Sequence, residues 1–305
     1  MNKFQTVISL PEYNWKTGYS KTSLFMGSCF TENMGSRLKN LKYNVDVNPF
    51  GILYNPSSLA KGLQLLLDEN VFSESDLVQK NYLWHSFNHH GRFSKPDKTE
   101  TLQEINEQIK ISSGFLQKAD FLFLTFGTAW VYKLKNTDTI VANCHKFPAK
   151  DFIRKRLSVH NIVEEYKQLL HRLWEFNPGI KVMFTLSPIR HLKDGAIENQ
   201  ISKATLLLAI DAILQEFGEQ KCAYFPAYEI VMDELRDYRF YAADMTHLSD
   251  VAIEHIWQYF KNSMIDKQSC ELMQDVQKII NAANHRPTNK LTKQHLIFLQ
   301  DALEK

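Results

Sequence analysis

The sequence has no apolar run long enough to span a bilayer, and residues 1–11 lack the basic, apolar, small-residue order of a secretion signal. Both absences lead us to expect a cytoplasmic protein. Net charge is nearly absent too: 36 Lys and Arg against 34 Asp and Glu leave +2, which argues against nucleic acid or a membrane surface as partner. Cysteine is scarce. Cys29, Cys144, Cys222 and Cys270 lie far apart with no C-x-x-C pair, so they do not describe a disulfide framework and are expected as reduced thiols. His85, His89 and His90 with Cys144 and His145 match no zinc spacing, and neither a metal nor a cofactor is expected. Internal repeats and low-complexity linkers are also missing.

What remains is an ordinary globular composition, 44% hydrophobic and 23% charged over 305 residues, enough for one large domain or two small ones. Short apolar runs alternate with amphipathic stretches. Residues 24–26, 43–47, 121–127, 181–186 and 222–225 read as strands, and the run at 121–127 is almost wholly apolar, as a parallel strand buried on both faces should be. Helices are expected from Cys29 onward with Met34 and Leu38 inward, from Pro56, over 99–118, 158–176, 199–217 and 250–261. A hairpin is expected over 130–142. Beyond Ser263 two helices flank His285-Arg286-Pro287, a C-terminal extension (263–305) expected to pack on the main unit (1–262). The pattern predicts a three-layer α/β/α sandwich around a mostly parallel five-stranded sheet, with ligands at the strands' C-terminal edge. The ring-rich stretch 81–95, holding His85, His89 and His90, is expected to line or cover something.

Chemistry-bearing residues gather after those strands. Cys29 sits where a strand meets a helix through Gly27, a corner that presents a small side chain beside unpaired N–H groups and a positive dipole end. Asp244 precedes His247 by three residues, a spacing that lets a carboxylate hold the tautomer a general base needs. Arg190 and His191 follow the fourth strand and could bind a carboxylate or phosphate.

Gly27-Ser28-Cys29-Phe30, then Thr31-Glu32, with Asn48-Pro49-Phe50-Gly51, Asn143-Cys144-His145-Lys146 and Asp244-Met245-Thr246-His247, resembles the GSCFA-domain family over about residues 20–262. That is a bacterial family regarded as distantly related to the SGNH/GDSL hydrolases; its name expects Ala where this chain has Thr31. The resemblance implies an SGNH/flavodoxin-like fold, with Cys29 on the nucleophile, Ser28 as the neighbouring alternative, and Asp244 and His247 as orienter and base. It places Gly51 on an oxyanion-hole donor. The third donor falls on Ala129, which has no side-chain donor, leaving Thr128, Asn48 or Asn55 to supply it, with His145, Arg190 and His191 as further substrate-binding candidates. The implied activity is hydrolysis of an acyl ester or transfer to a carbohydrate hydroxyl, the partner being a small-molecule or carbohydrate ester or an acyl-carrier thioester. The competing reading is a non-catalytic glycan- or protein-binding module.

Overall fold

In the computed structural model of the chain, which describes residues 6–284 and, outside that span, only Phe4, Lys293, Ile297 and Gln300, the five apolar runs become one sheet. The elements in chain order are β1 (Thr22–Gly27), α1 (Cys29–Asn40), β2 (Asn44–Val47), α2 (Pro56–Leu67), β3 (Val78–Lys80), β4 (Leu83–His85), α3 (Lys98–Lys118), β5 (Phe121–Phe126) and β6 (Trp130–Leu134). They continue with β7 (Ile140–Val141), β8 (Phe152–Arg156), α4 (Val159–Phe176), β9 (Lys181–Leu186), α5 (Gly195–Phe217), β10 (Cys222–Phe225), α6 (Ala227–Glu229), α7 (Asp250–Met264) and α8 (Lys267–Asn284).

The sheet runs β10-β9-β5-β1-β2 and every neighbouring pair is parallel. Successive side chains of a strand point to opposite faces, so strands apolar at every position need a helical layer on each side. Leu24, Met26, Leu122, Leu124, Phe126, Val182 and Phe184 pack with α2, α3, α4 and α5. Phe25, Phe121, Phe123, Met183 and Phe225 pack with α1 and α7. Phe25 and Phe123, register partners on β1 and β5, stack with ring centroids 4.3 Å apart. Local chemistry starts the helices where the sequence suggests: Asn55 caps α2 ahead of Pro56, and Ser158 forms a capping box with Asn161 at α4.

The chain leaves β1 to one side for β2, then returns across it to β5. The crevice where the connections diverge therefore opens between the C-terminal ends of β1 and β5, where open α/β sheets take their ligands.

Two inserts extend the fold. β3 and β4 form a short hairpin, and β6 pairs antiparallel with β7 and with β8, so the expected hairpin gains a third strand. Within the histidine-rich stretch His85 and His89 are buried, while Tyr82 and Arg92 are exposed. His89 is buried among Phe50, Phe72 and Phe93, its Nδ1 hydrogen-bonded to Ser86 Oγ at 2.9 Å, and burial pushes its pKa down to about 3. At the C-terminus α8 packs Met273 against the α1/α7 core, and Tyr19 N–H donates to Ser269 Oγ. Of the second helix expected after Pro287, all but Lys293, Ile297 and Gln300 lies outside the described residues. Among the described residues no helix is long and apolar enough to cross a membrane.

Candidate active site

Gly27 ends β1 with φ +155°, and a Cβ there would stand 2.6 Å from Thr31 Oγ1 and 2.7 Å from the Thr125 carbonyl oxygen. Only glycine lets β1 turn this close to β5. Thr31 uses the contact: its hydroxyl donates to Thr125 Oγ1 at 2.5 Å, tying the first turn of α1 to the neighbouring strand. Ser28 is buried and is the N-cap of α1, its Oγ accepting from Phe30 N–H. Cys29 comes next, half-buried, as the first residue of the helix. Its thiol has one side-chain hydrogen-bond partner among the described residues, the Tyr54 hydroxyl at 4.0 Å. Its N–H belongs to the helix's unpaired first turn.

The turn after β2 supports this corner and corrects the expected oxyanion hole. Asn48, at φ +50°, donates its N–H to Phe25 O, accepts from Gly27 N–H at 2.8 Å on Oδ1, and donates Nδ2 to the Glu32 carboxylate at 2.7 Å. Its carbonyl accepts from Gly51 N–H at 2.7 Å and from the Arg92 guanidinium. The Gly51 N–H is thereby committed inside its own turn and is not an oxyanion donor. Asn48 holds the corner in shape through both polar atoms of its side chain.

Thr128 is committed as well: its N–H donates to Tyr54 O at 2.9 Å, while its Oγ1 pairs with Ser202 Oγ and accepts from Trp130 N–H. Asn55, offered as a substitute donor, is buried and caps α2 through Oδ1. His145 belongs to the insert. Its Nε2 bonds the Ser86 carbonyl at 2.8 Å, its ring packs on His85, and burial lowers its pKa to about 4, which removes it from the substrate-binding set.

The segment after β9 and the loop ahead of α7 carry the remaining groups. Asp244 and His247 pair as their spacing requires: Oδ2 meets Nδ1 at 2.5 Å, and Oδ1 accepts the N–H of both Thr246 and His247. The hydrogen bonds to His247 pull the Asp244 pKa down to about 2. This leaves His247 Nε2 as the working end of the ring, about half exposed, with no hydrogen bond to Cys29 in this structure. The His191 ring meets Tyr54 edge-on with centroids 5.5 Å apart, and the charge of His247 adds to the burial that lowers its pKa to about 4. Its Nε2 is buried without a partner among the described residues. Arg190 Nε donates to Asn199 Oδ1, and Asn199 Nδ2 in turn donates to His191 O.

Two residues that sequence reasoning missed complete the picture. Tyr54 contacts the thiol; its nearness to the Asn48–Gly51 turn was the only signal available. Lys203, inside α5, is fully buried, and its Nζ donates to Gly127 O at 2.7 Å and Ser187 O at 2.6 Å, closing the ends of β5 and β9. A cavity of about 710 Å³ lies elsewhere, between residues 7–15 and the β10 edge. Its lining includes none of the chemistry described above. No cluster of three or more His, Cys, Asp or Glu placed to hold a metal occurs among the described residues.

Among solved structures the chain is similar to an acetyl xylan esterase from the rumen bacterium Butyrivibrio proteoclasticus, at 11% identity and a TM-score of 0.38, over 84% of this chain and 66% of the esterase. The chain thus spans just under two thirds of that protein's length. No curated protein matches the sequence. The model of the GSCFA family matches residues 22–260, a span that takes in Cys29, Asp244, His247 and all five strands of the sheet. The chain belongs to the GSCFA family.

Proposed function

We propose that the protein hydrolyses or transfers an acyl group from an ester or thioester, with Cys29 as nucleophile, His247 as general base and Asp244 as the residue that orients it. The observation that supports this reading is a half-buried thiol at the N-terminus of α1, just past the end of β1, joined through Tyr54 and His191 to the neighbourhood of a formed Asp244–His247 pair. Hydrogen bonds within a catalytic set commonly tighten only when substrate is bound. Ser28, buried and engaged as a cap, is poorly placed to attack.

In the first half-reaction Cys29 Sγ forms a bond to the acyl carbon as the bond to the leaving oxygen or sulfur breaks. His247 takes the thiol proton and returns it to that leaving group. In the second half a water or a sugar hydroxyl loses its proton to His247, its oxygen replaces the sulfur on the acyl carbon, and the thiol is regenerated. A thioester intermediate exchanges readily with hydroxyl acceptors, which keeps transfer to carbohydrate alongside hydrolysis.

The test is p-nitrophenyl acetate turnover and iodoacetamide labelling in the wild type and in Cys29→Ala, His247→Ala and Ser28→Ala. Loss of the base is expected to cost about a hundredfold to ten-thousandfold. Cys29→Ala is expected to lose turnover and labelling together. Equal turnover in wild type and Cys29→Ala would overturn the assignment.

A further inference from the structure

The Gly51 and Thr128 N–H groups are engaged elsewhere, and Asn48 and Asn55 are held by the hydrogen bonds of their own turn and helix cap. The polar side chain beside the sulfur is that of Tyr54, whose hydroxyl lies 4.0 Å from Sγ. Its placement is built in from both sides. Leu53 N–H donates to Gly27 O at 3.0 Å, fixing the segment to the nucleophile's own turn. The Tyr54 carbonyl accepts from Gly127 N–H at 2.8 Å and Thr128 N–H at 2.9 Å, fixing it to the turn after β5. Gly127 is held so close that a Cβ there would stand 2.8 Å from the Tyr54 oxygen. On its far side the ring abuts His191 edge-on.

Resting on the acyl-transfer reading above, we propose that Tyr54 is a catalytic residue whose hydroxyl donates the side-chain hydrogen bond to the oxyanion formed when Cys29 attacks. When Sγ bonds to the acyl carbon, the carbonyl's π pair moves onto its oxygen. That oxygen, one bond from a carbon attached to Sγ, comes within a hydrogen-bond length of a donor 4.0 Å from the sulfur, and the Cys29 N–H approaches it from the helix end. No proton is transferred; the pair returns to re-form the carbonyl as the leaving group departs. Burial, together with the neighbouring Cys29, raises the Tyr54 pKa to about 12, so the group is an O–H donor throughout the neutral range. Pre-fixed donors of this kind need no reorganisation at the moment of reaction.

The experiment compares wild type, Tyr54→Phe and Cys29→Ala in p-nitrophenyl acetate turnover and in the rate of iodoacetamide alkylation at Cys29. Alkylation uses the same thiol but forms no oxyanion. Tyr54→Phe keeps the ring, and a thermal midpoint close to wild type checks that the corner is intact. We expect kcat to fall about a hundredfold, KM to stay within about twofold, and alkylation to keep its wild-type rate. Turnover within about threefold of wild type, or alkylation falling in proportion to kcat, would overturn the role of Tyr54, the second by making the residue an aid to the thiolate. An inactive Cys29→Ala beside a fully active Tyr54→Phe removes only this inference; a fully active Cys29→Ala removes the nucleophile and this inference with it.

Discussion

At the scale of single residues, adjacency in sequence and equivalence in chemistry part company at the β1–α1 corner. Ser28 and Cys29 differ by one atom type and one position, yet the first is sealed under the helix and the second is half-buried at its mouth. The Ser28 hydroxyl works as a helix cap, and removing such a cap typically costs about 1 kcal/mol. Ser28→Ala is therefore expected to shift the urea unfolding curve by about that amount while p-nitrophenyl acetate turnover stays within a few-fold of wild type. A turnover loss as deep as that of Cys29→Ala, with no change in stability, would move the nucleophile to Ser28. Asn48 and Gly51 make the same point in reverse, since residue types suited to binding an oxyanion are consumed in holding the turn that shapes the corner.

At the scale of elements, α5 reaches into the site's foundation through Lys203. Burial lowers its pKa to about 7, and a neutral amine still has two N–H groups, one for each of the carbonyls of Gly127 and Ser187. An unfolded lysine keeps its proton to about pH 10.4, so between the two values the unfolded chain binds more protons and stability from this residue rises with pH. The stability difference between wild type and Lys203→Met should accordingly grow in favour of wild type from pH 7 to pH 9.5, measured by urea unfolding at each pH. A constant difference would mean that the carbonyls hold the ammonium charged. This residue also marks where the sequence stopped being legible. The strands of the main sheet could be read because an apolar run such as Phe121–Phe126 carries its burial on its face, and α1 because Gly27 punctuates it. β3, β4 and β8 are three to five residues long and are held by their partners, with no strong pattern of their own. Lys203 looks like any polar residue of an amphipathic helix until the ends of two strands converge on it. Tyr54 owes its role to which turn folds beside Cys29, and no local pattern records that.

At the scale of the whole molecule, besides His90, which burial also lowers, three histidines are held neutral by large shifts: His89 and His145 in the insert, and His191 in the segment after β9. Burial is the main cause for each, with pKa values near 3, 4 and 4 against about 6.5 in an unfolded chain. Because the folded values lie below the unfolded one, the unfolded chain binds more protons below pH 6.5, and the stability these residues contribute drains away as pH falls toward 4. Glu165 and Glu229 act in the opposite sense, their carboxyls raised by burial, so that acidification favours the fold through them. Three imidazoles with large downward shifts outweigh two modestly raised carboxyls, and the urea midpoint is expected to drop between pH 7 and pH 5. His89 has the largest of the three shifts and sits within an aromatic cage of Phe50, Phe72 and Phe93, so His89→Phe replaces its ring with one that cannot titrate. The slope of stability against pH is the readout, because losing the bond to Ser86 shifts the midpoint at every pH alike. A flatter slope in His89→Phe than in wild type is expected; parallel slopes would show that this imidazole is not what makes the fold acid-sensitive.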